Sequence, residues 1–210
     1  ETLGCGGTLA KKISEGYQVL IVVMTDGRYA FLKMLSVGSD PTPEELKEIR
    51  KEEVKRAAQI LGVLEENIIF LDFEDGTLEK NEKEVEEKVT GILNKNRSLE
   101  VYLPYKKDIH PDHRATYRIV RKSTEKLGIS AMMYQYSIAQ RFSRASPIID
   151  ALLNLFKKNI VQIDISQFVS LKEVALKEFK SELTLISFRE KSSENAFKKF
   201  LHVKETFYID

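Results

Sequence analysis

The sequence predicts an α/β fold in which helices cover both faces of a mostly parallel β-sheet, giving three αβα layers. The first observation is that short apolar runs alternate with longer amphipathic segments throughout the 210 residues. The second is that these runs are continuous and rich in β-branched residues, as expected of strands buried on both faces. Since the length suits one core, we expect a single domain spanning residues 1–210.

Five apolar runs are predicted to form the strands of a Rossmann-like sheet with right-handed crossovers. They are residues 18–25, 67–73, 99–105, 130–137 and 159–166. Polar residues follow the first three runs directly, at 25–27, 72–76 and 105–113. Because such sheets bind ligands at the carboxyl ends of their strands, we expect the functional site there.

Clear start and stop signals mark the intervening helices. Thr42 and Glu45 form a capping box around Pro43, which opens a helix that Gly62 is expected to end. A second apolar stripe covers residues 85–93, and a third helix is predicted from 112 to 127, with Gly128 as its stop.

The chain opens with a glycine-rich segment that contains Gly4, Gly6 and Gly7. We predict a turn that leads into a helix ending near Gly16. A strand normally precedes such a turn, so we expect a first strand upstream of Glu1. The glycines could cradle a phosphate, but the full dinucleotide fingerprint and the P-loop lysine are missing. A structural role in tight turning is therefore favoured.

Composition excludes some classes of partner. The chain has 33 Lys and Arg against 32 Asp and Glu, so no nucleic-acid partner is expected. One cysteine allows no internal disulfide, which fits a reducing compartment, and we expect a cytoplasmic location. The densely apolar segment 142–158 is interpreted as a core or interface helix, in line with a homo-oligomer. A lid or a membrane-surface helix is the alternative.

Two of the three histidines stand in the sequence His110-Pro111-Asp112-His113. Proline suits the first turn of a helix, so both rings are predicted to lie where a strand ends and a helix begins. The positive helix end favours neutral imidazole, the form that binds metals. A loop with two solvated histidines is equally compatible with the spacing, and two histidines are fewer than the three protein ligands of a typical catalytic zinc site.

These motifs together resemble the PIG-L/LmbE family of zinc-dependent sugar N-deacetylases. The family's first motif is His-Pro-Asp-Asp followed by Glu-x-x-Gly-x-Gly-Gly-Thr, which the chain matches from Glu1 onward, and its second is His-Pro-Asp-His. The other features that agree in order and spacing are 25–27, Arg50 with Glu53, 75–76, 164–166, 180–181 and 205–207. The family often has a tyrosine shortly before the second motif, whereas this chain has Asp108 and Ile109.

The resemblance implies roles for these residues. His113 would be a metal ligand, with the other two ligands and the general base supplied by a motif upstream of Glu1. His110 would assist catalysis as an acid, and Asp112 would orient it. The cofactor would be zinc, or another divalent transition metal, and the substrate an N-acetylated amino sugar such as an N-acetylglucosamine derivative.

Other polar residues are assigned by resemblance or by position. Arg50 and Asp75 are expected to bind the sugar, although Asp75 also suits an ordinary turn. For Glu53 the simplest interpretation is an intrahelical ion pair with Arg50. Asp26 and the segment of Glu1 with the three glycines are expected to form loops beside the site. Two further functions stay open: a non-catalytic carbohydrate-binding relative and a nucleotide-binding α/β protein.

Overall fold

Strands and helices alternate along the chain in a computed structural model, which describes residues 1–29, 41–98, 100–138, 159–182 and 200–210. The segment 142–158, predicted as an interface helix or lid, lies outside the described residues. Within the described ranges, no helix is both long enough and apolar enough to cross a bilayer.

The described helices and strands follow the predicted order. The helices are α1 (Thr2–Ser14), α2 (Pro43–Ile60), α3 (Glu82–Asn96), α4 (Pro111–Leu127) and α5 (Val169–Leu176), with short 3₁₀ turns at Glu65–Asn67 and Ser166–Phe168. The strands are β1 (Ile21–Thr25), β2 (Ile68–Phe73), β3 (Glu100–Pro104), β4 (Met132–Tyr136), β5 (Ile160–Asp164) and β6 (Lys204–Tyr208). The five predicted strands are thus confirmed, and β6 was not predicted.

The local signals at the helix ends act as predicted. The Thr42 hydroxyl accepts the Glu45 N–H at 3.3 Å, and the Glu45 carboxylate accepts the Thr42 N–H at 2.8 Å. Gly62 and Gly128 take left-handed conformations, with φ of +92° and +63°, and end α2 and α4. These contacts set where α2 begins and where both helices stop.

The described strands form two sheets, of which the second is mixed, so the prediction of a mostly parallel sheet is correct only for the first four strands. β1 pairs with β2 in parallel, and β3 with β4 in parallel. β6 runs antiparallel to both β4 and β5. Burial alternates along β6, with Glu205 and Phe207 buried and their neighbours more exposed, which is typical of antiparallel strands.

Two hydrophobic clusters lie on opposite faces of the strands and are shared by both strand pairs. On β1, Val22 and Met24 face the cluster formed with α3 and α4, whereas Ile21 and Val23 face the cluster formed with α1 and α2. β3 divides in the same way, since its Leu103 belongs to the first cluster and Tyr102 to the second. Both strand pairs therefore contribute to the same two clusters, one packed with α3 and α4 and the other with α1 and α2.

The glycines near the N-terminus lie inside α1, so the prediction of a turn before the helix is wrong. The helix runs through them with a non-helical residue at Cys5, where φ is −143°. A Cβ on Gly4 would lie 2.3 Å from the ring of Tyr136, and one on Gly7 would lie 2.3 Å from Ile165 Cδ1. Glycine is needed here because α1 packs directly against its neighbours.

A buried ion pair fixes the kinked part of α1. Glu205 on β6 accepts the N–H groups of Gly7 and Thr8 at 3.0 and 2.7 Å, and also the Thr8 hydroxyl at 2.6 Å. Lys172 on α5 lies 2.5 Å from the same carboxylate and donates to the Leu3 carbonyl at 2.9 Å. Both charged side chains are at most 1% exposed. One carboxylate thus joins α1, α5 and β6.

The close packing of α1 predicts opposite effects for two helical glycines. Gly7→Ala should lower the free energy of unfolding by about 1–3 kcal/mol, since the added methyl overpacks against Ile165. Gly91→Ala in α3 meets no atom within 4 Å and should raise stability by up to about 1 kcal/mol. Urea unfolding of both variants tests this, and equal effects would contradict the packing role of Gly7.

The thiol of Cys5 is predicted to be unreactive in the folded protein. Cys5 is 1% exposed, and burial raises the pKa of its thiol to about 12. The thiolate fraction should then be roughly a thousandfold smaller than for a free cysteine. Ellman's reagent should label Cys5 only after unfolding in guanidinium chloride; rapid labelling of the native protein would show that the kink of α1 opens.

Candidate active site

The loops after β1 and β2 are joined by the carboxylate of Asp26. The Asp26 N–H donates to the Phe73 carbonyl at 2.9 Å, and its Oδ1 accepts the Asp75 N–H at 3.3 Å. Arg28 Nε pairs with the other oxygen at 2.7 Å. Asp26 therefore supports the position of Asp75, consistent with its predicted place in a loop beside the site.

A β-bulge precedes this loop. Val23 is paired with Phe70 and Thr25 with Phe73, so β2 contains one extra residue. Asp72 lies in this stretch with a left-handed φ of +55°. Such a bulge changes the direction of the strand, and here it turns the chain toward the loop that contains Asp75.

Asp112 joins the loop after β2 to the first turn of α4. Its Oδ2 accepts the Gly76 N–H at 2.6 Å and its Oδ1 accepts the Leu78 N–H at 3.2 Å. The residue is 4% exposed. His110 is the N-cap residue of α4, yet its side chain makes no capping hydrogen bond and the residue is exposed. The ring of His110 is therefore available to the site.

Asp75, His110 and Asp112 form a compact group of donors. One ligand atom from each lies within 4.8 Å of the others. Burial raises the pKa of the Asp75 carboxyl, His110 opposes this shift, and the negative charge of Asp112 adds to it. Two carboxylates and one imidazole are donors that zinc accepts in proteins. The structure thus brings together three residues that the sequence had assigned to catalysis and sugar binding.

His113 lies beside this group but faces a different carboxylate. Its ring centroid is 4.9 Å from that of His110, and its Nδ1 is 3.2 Å from Asp108 Oδ1. Asp108 is 4% exposed and its Oδ1 also accepts the His110 N–H at 2.9 Å. The sequence analysis did not assign Asp108 to the site. The feature of the sequence that could have indicated it is the position of Asp108, two residues before His110 in the loop that follows β3.

Arg50 reaches the site from α2. Its Nη1 lies 3.3 Å from Glu182, and the side chain packs over Gly27, where an added Cβ would be 2.9 Å from Nη1. Arg50 Nε and Nη2 are buried and have no hydrogen-bond partner among the described residues. Glu53 instead accepts the N–H and hydroxyl of Ser181 at 2.8 and 2.7 Å. The expected Arg50–Glu53 ion pair is thus replaced by separate partners, because each side chain meets the segment that follows α5.

Glu1 and the three glycines lie in the packed part of α1 and outside the donor group. The Glu1 carbonyl accepts the Cys5 N–H at 2.8 Å. A Cβ on Gly6 would be 3.4 Å from Thr2 and within 3.6 Å of Lys172. The N–H groups of Gly7 and Thr8, which could have bound a phosphate, already donate to Glu205. This geometry favours the structural role of the glycines over nucleotide binding.

Similar proteins are known among curated sequences. Diacetylchitobiose deacetylase of Thermococcus kodakarensis is 36% identical over 117 residues, which are 53% of this chain and 40% of that protein. Mycothiol S-conjugate amidase of Streptomyces coelicolor is 30% identical over 136 residues, which are 56% of this chain and 45% of that protein. The matches thus span less than half the length of these relatives, both of which are named as enzymes that hydrolyse amides.

Solved structures show the same fold. N,N'-diacetylchitobiose deacetylase of Pyrococcus horikoshii superimposes with a TM-score of 0.68 at 23% identity, covering 100% of this chain and 79% of that one. The model of the PIG-L family, described as GlcNAc-PI de-N-acetylase, matches residues 1–124, which is more than half of the 210 residues and includes the donor group and His113. The chain therefore belongs to the PIG-L family.

Proposed function

We propose that the full-length protein is a zinc-dependent hydrolase that removes the N-acetyl group from an N-acetylglucosamine-containing substrate. The observation that supports this most directly is the group of Asp75, His110 and Asp112, whose ligand atoms lie within 4.8 Å of one another beside His113. The names of the relatives, a diacetylchitobiose deacetylase and an amidase, agree with amide hydrolysis.

The residues present fit a divalent transition metal, for which zinc is our assignment. His113 would bind it through one ring nitrogen, and the carboxylates and imidazole of Asp75, His110 and Asp112, to which we assign other roles, make the surroundings of the metal polar. When bound, zinc would supply a Lewis acid that activates water for attack on the amide carbonyl. The carboxylates of the buried Asp112 and the half-buried Asp75 match a site that receives a positive charge.

The remaining ligands would come from a strand upstream of Glu1 that completes a Rossmann-like, single-domain fold. Among the described strands, β1 pairs only with β2, and β3 pairs only with β4. Both pairs contribute side chains to the same two hydrophobic clusters. A strand between β1 and β3 would join them into one sheet and would end at the same edge as the donor group.

His110 is the residue that we assign to proton transfer. Its ring is exposed and lies close to the carboxylates of Asp75 and Asp112. A protonated imidazole there can donate to the departing amine nitrogen, which is a poor leaving group without a proton. Two backbone N–H groups fix the carboxylate of Asp112, so that it stays beside the ring of His110.

Arg50 and Asp75 are assigned to substrate binding. Arg50 has two buried nitrogens, Nε and Nη2, that have no partner in the described part of the chain, so a sugar oxygen that accepted from them would remove the cost of leaving them unpaired. Asp75 lies in the loop after β2, and its carboxylate can accept hydrogen bonds from the hydroxyl groups of the sugar.

Substitution of the two motif histidines should separate metal binding from proton transfer. His113→Ala should lose both bound zinc and acetate release from diacetylchitobiose. His110→Gln should retain zinc and lower kcat by about 10²–10⁴-fold, the usual contribution of a general acid. Zinc is measured by elemental analysis and acetate by a coupled assay on the full-length protein.

The matched control is His202→Gln, because His202 is exposed and lies outside the site. It should leave zinc content and kcat unchanged. Wild-type protein that binds zinc but releases no acetate from any N-acetylglucosamine derivative would contradict the deacetylase assignment and favour a carbohydrate-binding function.

Replacement of Arg50 should weaken substrate binding specifically. Arg50→Met removes charged hydrogen bonds, each of which contributes about 1.5–3 kcal/mol, so kcat/KM should fall by roughly 10- to 100-fold, mainly through KM. Arg56→Met is the control on the same helix, where Arg56 pairs with Glu178 at 3.0 Å at the surface. Steady-state kinetics of both variants decides; equal losses would place Arg50 in a purely structural role.

A further inference from the structure

We propose that Asp108 is a positioning residue that holds the proton of His113 on Nδ1 and so leaves Nε2 as the metal-binding nitrogen. This inference rests on the proposed function, in which His113 is a metal ligand. It concerns a residue outside the His-Pro-Asp-His motif, located in the loop between β3 and α4.

The contact between the two side chains sets the tautomer. His113 Nδ1 is buried, and its polar neighbour is the carboxylate Oδ1 of Asp108 at 3.2 Å. The contact is an ion pair by distance and does not have hydrogen-bond geometry, and no hydrogen-bond partner of this nitrogen is found among the residues that the structure describes. An unprotonated Nδ1 would place its lone pair 3.2 Å from an oxygen of a buried carboxylate, which is repulsive. The neutral ring is therefore protonated on Nδ1 and has its lone pair on Nε2.

The backbone around Asp108 keeps the carboxylate in place. Oδ1 of Asp108 accepts the His110 N–H at 2.9 Å, and the Asp108 N–H donates to the Tyr105 carbonyl at 2.9 Å. From α4, Arg114 Nη1 donates to the carbonyls of Asp108 and Ile109 at 2.9 and 2.8 Å. The same carboxylate thus contacts the ring of one motif histidine and the backbone of the other.

The exposed part of His113 is consistent with this role. The side chain is 31% exposed although Nδ1 is buried, so the ring is open on a side away from Asp108. A carboxylate that accepts from the second nitrogen of a metal-binding histidine fixes the ring orientation and strengthens the metal–nitrogen bond. Asp108 acts through His113 and touches neither substrate nor metal.

Two measurements on Asp108→Ala and Asp108→Asn test the proposal. In metal-free protein, long-range ¹H–¹⁵N spectra should show His113 as the Nδ1–H tautomer in the wild type. The Ala variant should show a mixture of tautomers, whereas the Asn variant keeps an acceptor and should keep the tautomer. Titration of the full-length protein with zinc against a chromophoric chelator should give an affinity loss of about 10- to 100-fold for Ala and a smaller loss for Asn.

The control is Arg114→Leu, which frees the Asp108 and Ile109 carbonyls but leaves the carboxylate intact. This variant should preserve the tautomer and lose less zinc affinity than Asp108→Ala. An equal loss would mean that zinc affinity depends on the order of the loop and not on the Asp108 carboxylate. Unchanged tautomer and zinc affinity in Asp108→Ala would overturn the proposal. If the wild-type protein bound no zinc, the proposed function would fail, and the tautomer spectra would still decide the assignment of Asp108.

Discussion

The architecture depends on one buried carboxylate, that of Glu205. It accepts two backbone N–H groups and a hydroxyl from α1 and pairs with Lys172 of α5, while β6 supplies its backbone. A buried charge is tolerated only when it is paired and fully hydrogen-bonded, and removal of one partner of such a pair typically costs about 3–5 kcal/mol. This carboxylate lies next to three features of the fold. They are the kink at Cys5, the close approach of Gly7 to Ile165, and the contact of α5 with α1.

Carboxylates that accept backbone N–H groups also hold the candidate site together. Asp26 and Asp112 each accept N–H groups from the loop after β2, so carboxylates tie this loop to the loop after β1 and to the first turn of α4. Because these bonds satisfy the carboxylate oxygens, the negative charge can stay in partly buried surroundings. The donor group is therefore held in position by hydrogen bonds within the chain itself.

The sequence predicted features that depend on neighbouring residues. The capping box at Thr42, the left-handed glycines at 62 and 128, and the position of His110 at the start of α4 were all correct, because each depends on a few adjacent residues. The predicted helix from 112 to 127 is present as α4, with Ala115, Ile119 and Val120 buried along one stripe.

The features that were missed depend on distant partners. β6 contacts α1 through residues nearly two hundred positions apart, and no local pattern reveals that Glu205 binds Gly7. The glycines were predicted to form a turn. Their role in close packing depends on contacts with Tyr136 and Ile165, which the sequence does not show. Asp108 was noted only as a departure from a family pattern, since its contact with His113 requires the folded loop.

The hydrogen bonds of Asp112 have a consequence for how the site can adapt. Helix α4 and the loop at 76–78 cannot part without leaving a buried carboxylate without its donors, so this side of the site is stiff. Arg50 differs, because its side chain rests on a glycine and holds two nitrogens with no partner in the described chain. Differences in shape between ligands would then be absorbed by movement of the Arg50 side chain, while the side formed by α4 and the loop at 76–78 keeps its shape.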